Sequence, residues 1–149
     1  MRRMSILLTL SVLSVGTGVA GSSHAEPAIR PPITYSVHPI GWIRKSAGKT
    51  YIEIEKRYQP ALKGVEALRS IWVLYWFDCN DTPEKRSVLQ VHPHGDPGNP
   101  LRGVFATRSP LRPNLIALSQ AGILGVKDNV IEIDGIDAFA DTPVLDLKP

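Results

Sequence analysis

Arg108 and Arg112 stand four residues apart in a stretch stiffened by Pro110 and Pro113, with Asn114 immediately after. Two guanidinium groups held by one rigid loop can grip a carboxylate or phosphate through paired hydrogen bonds. Asn114 would then fix the loop or read the edge of a base. The bland alternative is that both arginines bond loop carbonyls and surface acids. Because a loop that concentrates two charges is costly unless each has a partner, we read the pair as ligand-binding. Arg102 reads as a surface residue. His92-x-His94-x-Asp96 offers imidazole and carboxylate groups suited to zinc or iron. It lies among prolines and glycines without an evident fourth ligand, so no metal site is assigned. Cys79 is the only cysteine, which excludes an internal disulfide and any Cys-x-x-Cys zinc site. Asp137 and Asp141 could meet a ligand's hydroxyl groups, but aspartates in such company more often build turns.

These groups must be positioned by one domain, because 149 residues suffice for a single core and not for two ordinary ones. The net charge is +3, and Arg2 and Arg3 precede every acidic residue, leaving 15 basic against 14 acidic side chains beyond them. That balance excludes a histone-like or polybasic role, though a local arginine cluster can still hold phosphate. Met1 to Ala25 has the basic start, apolar middle and small-residue exit of a secretory signal peptide. Cleavage is expected after Ala25, with an exported, periplasmic or secreted product, or a cytoplasmic one if the start codon lies downstream. Residues 26–32, with three prolines, read as an extended lead-in.

From residue 33 to 149 the pattern is that of short strands. Strands are expected at Thr34 to Ile43, Tyr51 to Glu55, Ser70 to Phe77, Ser87 to Val91, Gly103 to Thr107, Leu115 to Val126, Val130 to Asp134 and Val144 to Leu147. Tyr51-Ile52-Glu53-Ile54-Glu55 alternates with one wet face. The apolar run through Trp72 and Trp76 is expected to be covered on both faces, with both tryptophans in the core. One short helix is expected over Pro60 to Leu68, from Ala61, Leu62, Val65 and Leu68. Many strands, one helix and no alternating strand-helix units predict a mainly β fold, a small antiparallel barrel.

The run Gly103-Val-Phe-Ala-Thr-Arg-Ser-Pro-Leu-Arg-Pro-Asn114 closely resembles the signature of the TsaA-like, or TrmO-type, family. His38-Pro39-Ile40-Gly41-Trp42-Ile43-Arg44, Leu74-Tyr75-Trp76-Phe77 and Thr142-Pro143-Val144-Leu145-Asp146-Leu147-Lys148-Pro149 extend the resemblance across 33–149. It implies a small β-barrel methyltransferase that binds S-adenosylmethionine, often as a homodimer. The activity implied is N6-methylation of threonylcarbamoyladenosine in tRNA. By position, the resemblance implies cofactor contacts at Asp78, Cys79, Arg108, Leu118, Ala140, Asp141, Thr142 and Pro143. Arg112 and Asn114 are the candidate substrate contacts. Asp146, in the terminal motif, would orient a substrate amine or accept its proton, or else pair with Lys148 two residues on. Where the family carries a longer loop between its first two strands, this chain has only Lys45 to Thr50, and its Asp-Gly-Thr-Pro reads Ala140-Asp141-Thr142-Pro143. Methyl transfer from a sulfonium is an in-line displacement that needs positioning more than a metal or covalent nucleophile. The alternative is an exported, non-catalytic barrel for a small anionic or nucleoside-like ligand, with tRNA as partner only for a cytoplasmic protein.

Overall fold

Alternation of β-branched and polar residues builds most of the fold. A computed structural model describes residues 33–149; the leader and lead-in expected at 1–25 and 26–32 lie outside the described residues. The strands are β1 (Gly41–Ser46), β2 (Lys49–Ile54), β3 (Ser70–Trp76), β4 (Gln90–Val91), β5 (Arg102–Gly103), β6 (Ile116–Lys127), β7 (Val130–Ile133) and β8 (Pro143–Lys148). Six of them close into an antiparallel barrel in the order β1-β2-β7-β6-β3-β8, with β8 pairing back onto β1, while β4 and β5 form a separate two-stranded ribbon. Closure removes the unpaired sheet edges that an open sheet would present.

Inward positions of the barrel carry Ile43, Ile52, Ile54, Val73, Ile131, Ile133 and Val144, all essentially inaccessible to solvent. Each is one residue of an alternating strand, so its neighbours face out. Ala47 and Gly48 join β1 to β2 with φ of 49° and 76°, the two left-handed residues of a tight hairpin turn. Gly41 is required where β1 meets β2: a Cβ there would lie 2.3 Å from the Glu53 carbonyl oxygen.

Several expected elements fall elsewhere. The first strand starts at Gly41 and not at Thr34, and Ile33 to Ile40 carry no regular structure; Pro39 lacks the N–H that a ladder needs. Pro60 to Leu68 is not an α-helix but belongs to two 3-10 segments, Lys56–Leu62 and Val65–Ala67. Gly64 separates them at φ 95°, a conformation that breaks a right-handed turn. The one α-helical turn among the described residues is α1 (Pro83–Arg86), which the sequence reading missed. Thr82 caps it by accepting from the Lys85 N–H at 3.3 Å, and Pro83 occupies the first turn. Gly103 to Thr107 is mostly a 3-10 turn at Val104–Ala106, and the strand expected at Ser87 to Val91 shrinks to Gln90–Val91. In β3 only Ile71, Val73 and Tyr75 point inward; Trp72 and Trp76 share the outer face and are half-buried, not core.

Candidate ligand site at one end of the barrel

A cavity of about 590 Å³ opens at the end of the barrel where β3 finishes, β6 begins and the chain enters β8. Three irregular stretches wall it. The first follows β3: Phe77 donates its N–H to the Leu115 carbonyl at 2.9 Å, and a 3-10 turn at Asp78–Asn80 presents Asp78 and Cys79. The second is the arginine loop. Ser109 N–H donates to Thr107 Oγ1 at 3.2 Å and Leu111 N–H to Ser109 Oγ at 3.1 Å. These short side-chain acceptors shape a proline-rich loop that cannot form a ladder of its own. The third is the connection from β7 to β8, which contributes Asp137, Ala138, Phe139 and Thr142.

Both readings of the arginines are realised at once. Arg112 lines the cavity and also donates from Nη2 to the Val104 carbonyl at 3.2 Å. Arg108 lines the cavity, is exposed, and has no hydrogen-bonding or ion-pair partner among the described residues.

A ring of polar contacts supports these walls. Arg86 donates from Nε to Asp81 at 2.7 Å and from Nη1 to the Pro113 carbonyl at 3.0 Å. The Trp76 indole N–H donates to the other Asp81 oxygen at 3.1 Å, and the guanidinium lies 5.3 Å from the Trp76 ring centre. The Arg86 hydrogen bond, followed by that of Trp76, holds the Asp81 carboxyl below the usual aspartate range. Inside the barrel, the Tyr75 hydroxyl donates to the Asp137 carbonyl at 2.9 Å and lies 3.2 Å from Ser119 Oγ. Tyr75 is 4% exposed, so its hydroxyl needs such partners.

Asp78, Cys79, Arg108, Arg112, Leu118 and Thr142 therefore meet in one cavity. Ala140, Asp141, Pro143, Asn114 and Asp146 do not line it. Asp141 turns to Arg44, Pro143 stands opposite Trp42 in the β1–β8 pairing, and Asn114 is exposed at the end of its loop. Asp146 borders a second cavity of about 390 Å³ at the other end of the barrel, and its carboxylate pairs with Lys148 Nζ at 2.7 Å. Of the two roles read for Asp146, the structure has the ion pair with Lys148, on β8 and remote from Arg108. Cys79 is exposed. His92 Nδ1 lies 2.7 Å from the Asn99 carbonyl, and Asp96 accepts from the Gly98 N–H at 2.8 Å, so these two groups serve the loop's own backbone. Sequence reasoning missed Lys45, Tyr75, Phe77, Ser119 and Phe139. Tyr75 and Ser119 carried one available signal, a polar atom on the buried face of a strand.

Residues 36–149 match the family model described as the tRNA-methyltransferase O N-terminal domain. The chain belongs to the TrmO family. A probable S-adenosyl-L-methionine-binding protein of Methanocaldococcus jannaschii is 45% identical over 114 residues, covering 76% of this chain and 90% of that protein. The tRNA (adenine(37)-N6)-methyltransferase of Escherichia coli is 34% identical, covering 73% of this chain but 47% of that enzyme. A crystal structure of TrmO from Pseudomonas aeruginosa is 30% identical with a TM-score of 0.60, covering 80% of this chain and 55% of the other. This TrmO-family chain thus spans most of the archaeal protein and about half the length of the bacterial ones.

Proposed function

We propose that this TrmO-family chain binds S-adenosylmethionine in the barrel-end cavity and acts as a methyltransferase of the TrmO type, on N6 of threonylcarbamoyladenosine in tRNA. The observation that carries this is convergence: Asp78, Cys79, Arg108, Leu118 and Thr142, distant in sequence, line one cavity of about 590 Å³, within the size range of small-molecule sites. The residues present fit the cofactor's chemistry. Arg108 and Arg112 suit its carboxylate, Asp78 suits a hydroxyl or ammonium donor, and Leu118, Phe77 and Ala138 supply apolar walls. When bound, S-adenosylmethionine supplies an electrophilic methyl group on a sulfonium sulfur. The chain's part is to hold and orient: the arginine loop fixes one end of the ligand and the apolar walls keep water from the other.

Isothermal titration of the purified protein with S-adenosylmethionine and S-adenosylhomocysteine tests the reading. Micromolar binding supports it, and transfer of labelled methyl to tRNA then tests the acceptor. No binding of either refutes it.

A second reading is favoured by the tight Ala47-Gly48 turn. Lys45, just before it, lines the cavity, so a longer β1–β2 loop would lie over the ligand, and here that cover is missing. In this reading the protein is an exported, non-catalytic barrel for a small anionic or nucleoside-like ligand. Residues 1–25 support export, and a mature N-terminus at Glu26 is its test. Exposed Ile116, Leu118 and Phe139 at the cavity mouth support a homodimer, which sedimentation equilibrium would detect.

A further inference from the structure

We infer that Arg44 is a positioning residue for the cavity: from the barrel wall, acting through Asp141, it holds the β7–β8 connection in the shape that closes one side of the site. The inference rests on the ligand-binding reading above for its functional consequence. Residues 134–142 pair with strands only at their ends, Asp134 with Gly122 of β6 and Asp141 and Thr142 with Ile43 of β1, yet Asp137, Phe139 and Thr142 of this stretch line the cavity. Such a segment keeps its shape only through individual tethers.

Tyr75 of β3 holds the Asp137 carbonyl and Gly122 of β6 holds Asp134, and the remaining tethers come from β1. Lys45 Nζ donates to the Ile136 carbonyl at 3.4 Å near one end. Near the other, Asp141 N–H donates to the Ile43 carbonyl at 2.7 Å and Ile43 N–H to the Thr142 carbonyl at 3.0 Å. Asp141 sits at φ 64°, a left-handed conformation that costs a residue bearing a Cβ. Its carboxylate faces Arg44 Nη1 and does not line the cavity. Arg44 is itself oriented in advance: Nε donates to Glu53 at 2.7 Å, and the guanidinium lies 5.6 Å from the Trp42 ring centre. A relay of alternating charge thus runs from β2 across β1 to the residue before Thr142. All three charged side chains are more than 40% exposed. Exposed ion pairs add little to global stability, so the relay acts on the local shape of the connection.

Hydrogen exchange followed by mass spectrometry on the full chain, with titration of S-adenosylmethionine, tests this. In Arg44→Gln, the amides of Asp141 and Ile43, whose hydrogen bonds fasten this stretch to β1, are expected to exchange about tenfold faster while β3 and β6 are unchanged, with affinity reduced by a similar factor. Arg44→Lys, which keeps one donor, is expected to restore part of both. Unchanged exchange overturns the inference, and so does faster exchange with unchanged affinity, since the arginine would then be structural only. Should Arg44→Gln not fold, Asp141→Asn removes the same attraction at an exposed site and is read in the same way. If the wild-type protein binds no S-adenosylmethionine, the proposed function fails. The exchange rates then decide the role of Arg44 alone.

Discussion

Arg86 donates to the carbonyl of Pro113 at 3.0 Å and so fastens the α1 turn to the loop that carries Arg108 and Arg112. One guanidinium serves both partners because its planar fork presents donors in two directions, to Asp81 and to Pro113. Arg86→Lys, with a single ammonium, is expected to keep one bond and lose the other. We expect it to weaken S-adenosylmethionine binding several-fold with little change in melting temperature. Equal affinities in calorimetry would show that the loop holds its shape without this tether.

The same pair has a pH signature. Asp81 titrates below its ordinary value of 3.8, first because of Arg86 and then Trp76. A carboxyl depressed in the folded state contributes stability that is fully present above the unfolded value and is lost as pH falls through the depressed one. Between about pH 5 and pH 2, wild-type stability should therefore fall more steeply than that of Asp81→Asn. Parallel curves from urea unfolding would contradict the ion pair.

Arg108 lines the cavity without a protein partner among the described residues. Arg108→Ala should leave thermal unfolding unchanged. It should weaken binding of an S-adenosyl ligand by roughly tenfold or more, from about 1.5 to 3 kcal/mol for a hydrogen bond to a charged group. Unaltered affinity would remove this residue from the site.

Gly41 is buried against β2, where an added Cβ would come within 2.8 Å of the Ile54 Cα as well as meeting the Glu53 carbonyl. Both are backbone atoms in a paired strand and cannot swing aside. Gly41→Ala should cost about 1 to 3 kcal/mol, read from denaturant midpoints. A neutral effect would mean that β1 can shift along its neighbour.

Ile131 is fully buried in the centre of β7. Ile131→Ala should cost about 2 to 5 kcal/mol through lost burial and the cavity left behind. A cost well under 1 kcal/mol would mean that the barrel interior collapses around the gap.

Reading the strands from sequence succeeded where alternation was strong. Ile52 and Ile54 face inward and Glu53 outward, as their period of two requires. It failed where a local pattern met a long-range constraint. The apolar run from Ile71 to Trp76 looked buried on both faces, yet β3 belongs to a closed barrel, which has one inside, and its tryptophans lie on the outer wall. The helical spacing at Pro60 to Leu68 was interrupted by a left-handed Gly64, and a brief turn capped by Thr82 was too short to carry any periodicity.

At the site, the family signature marked Arg108, Leu118 and Thr142, and these lie on the cavity. Spacing already allowed Asp146 to pair with Lys148, but neither it nor the signature could show that Asp146 belongs to the opposite end of the barrel, or that Asp141 faces Arg44. By itself the sequence determined the strand pattern, the paired arginines in a stiff loop and the family, because periodicity, proline chemistry and motif identity are written in adjacent residues. Which charged groups share a cavity was decided by tertiary structure alone. Barrel closure sets β8 between β1 and β3, and only that register determines which end of the barrel each side chain reaches.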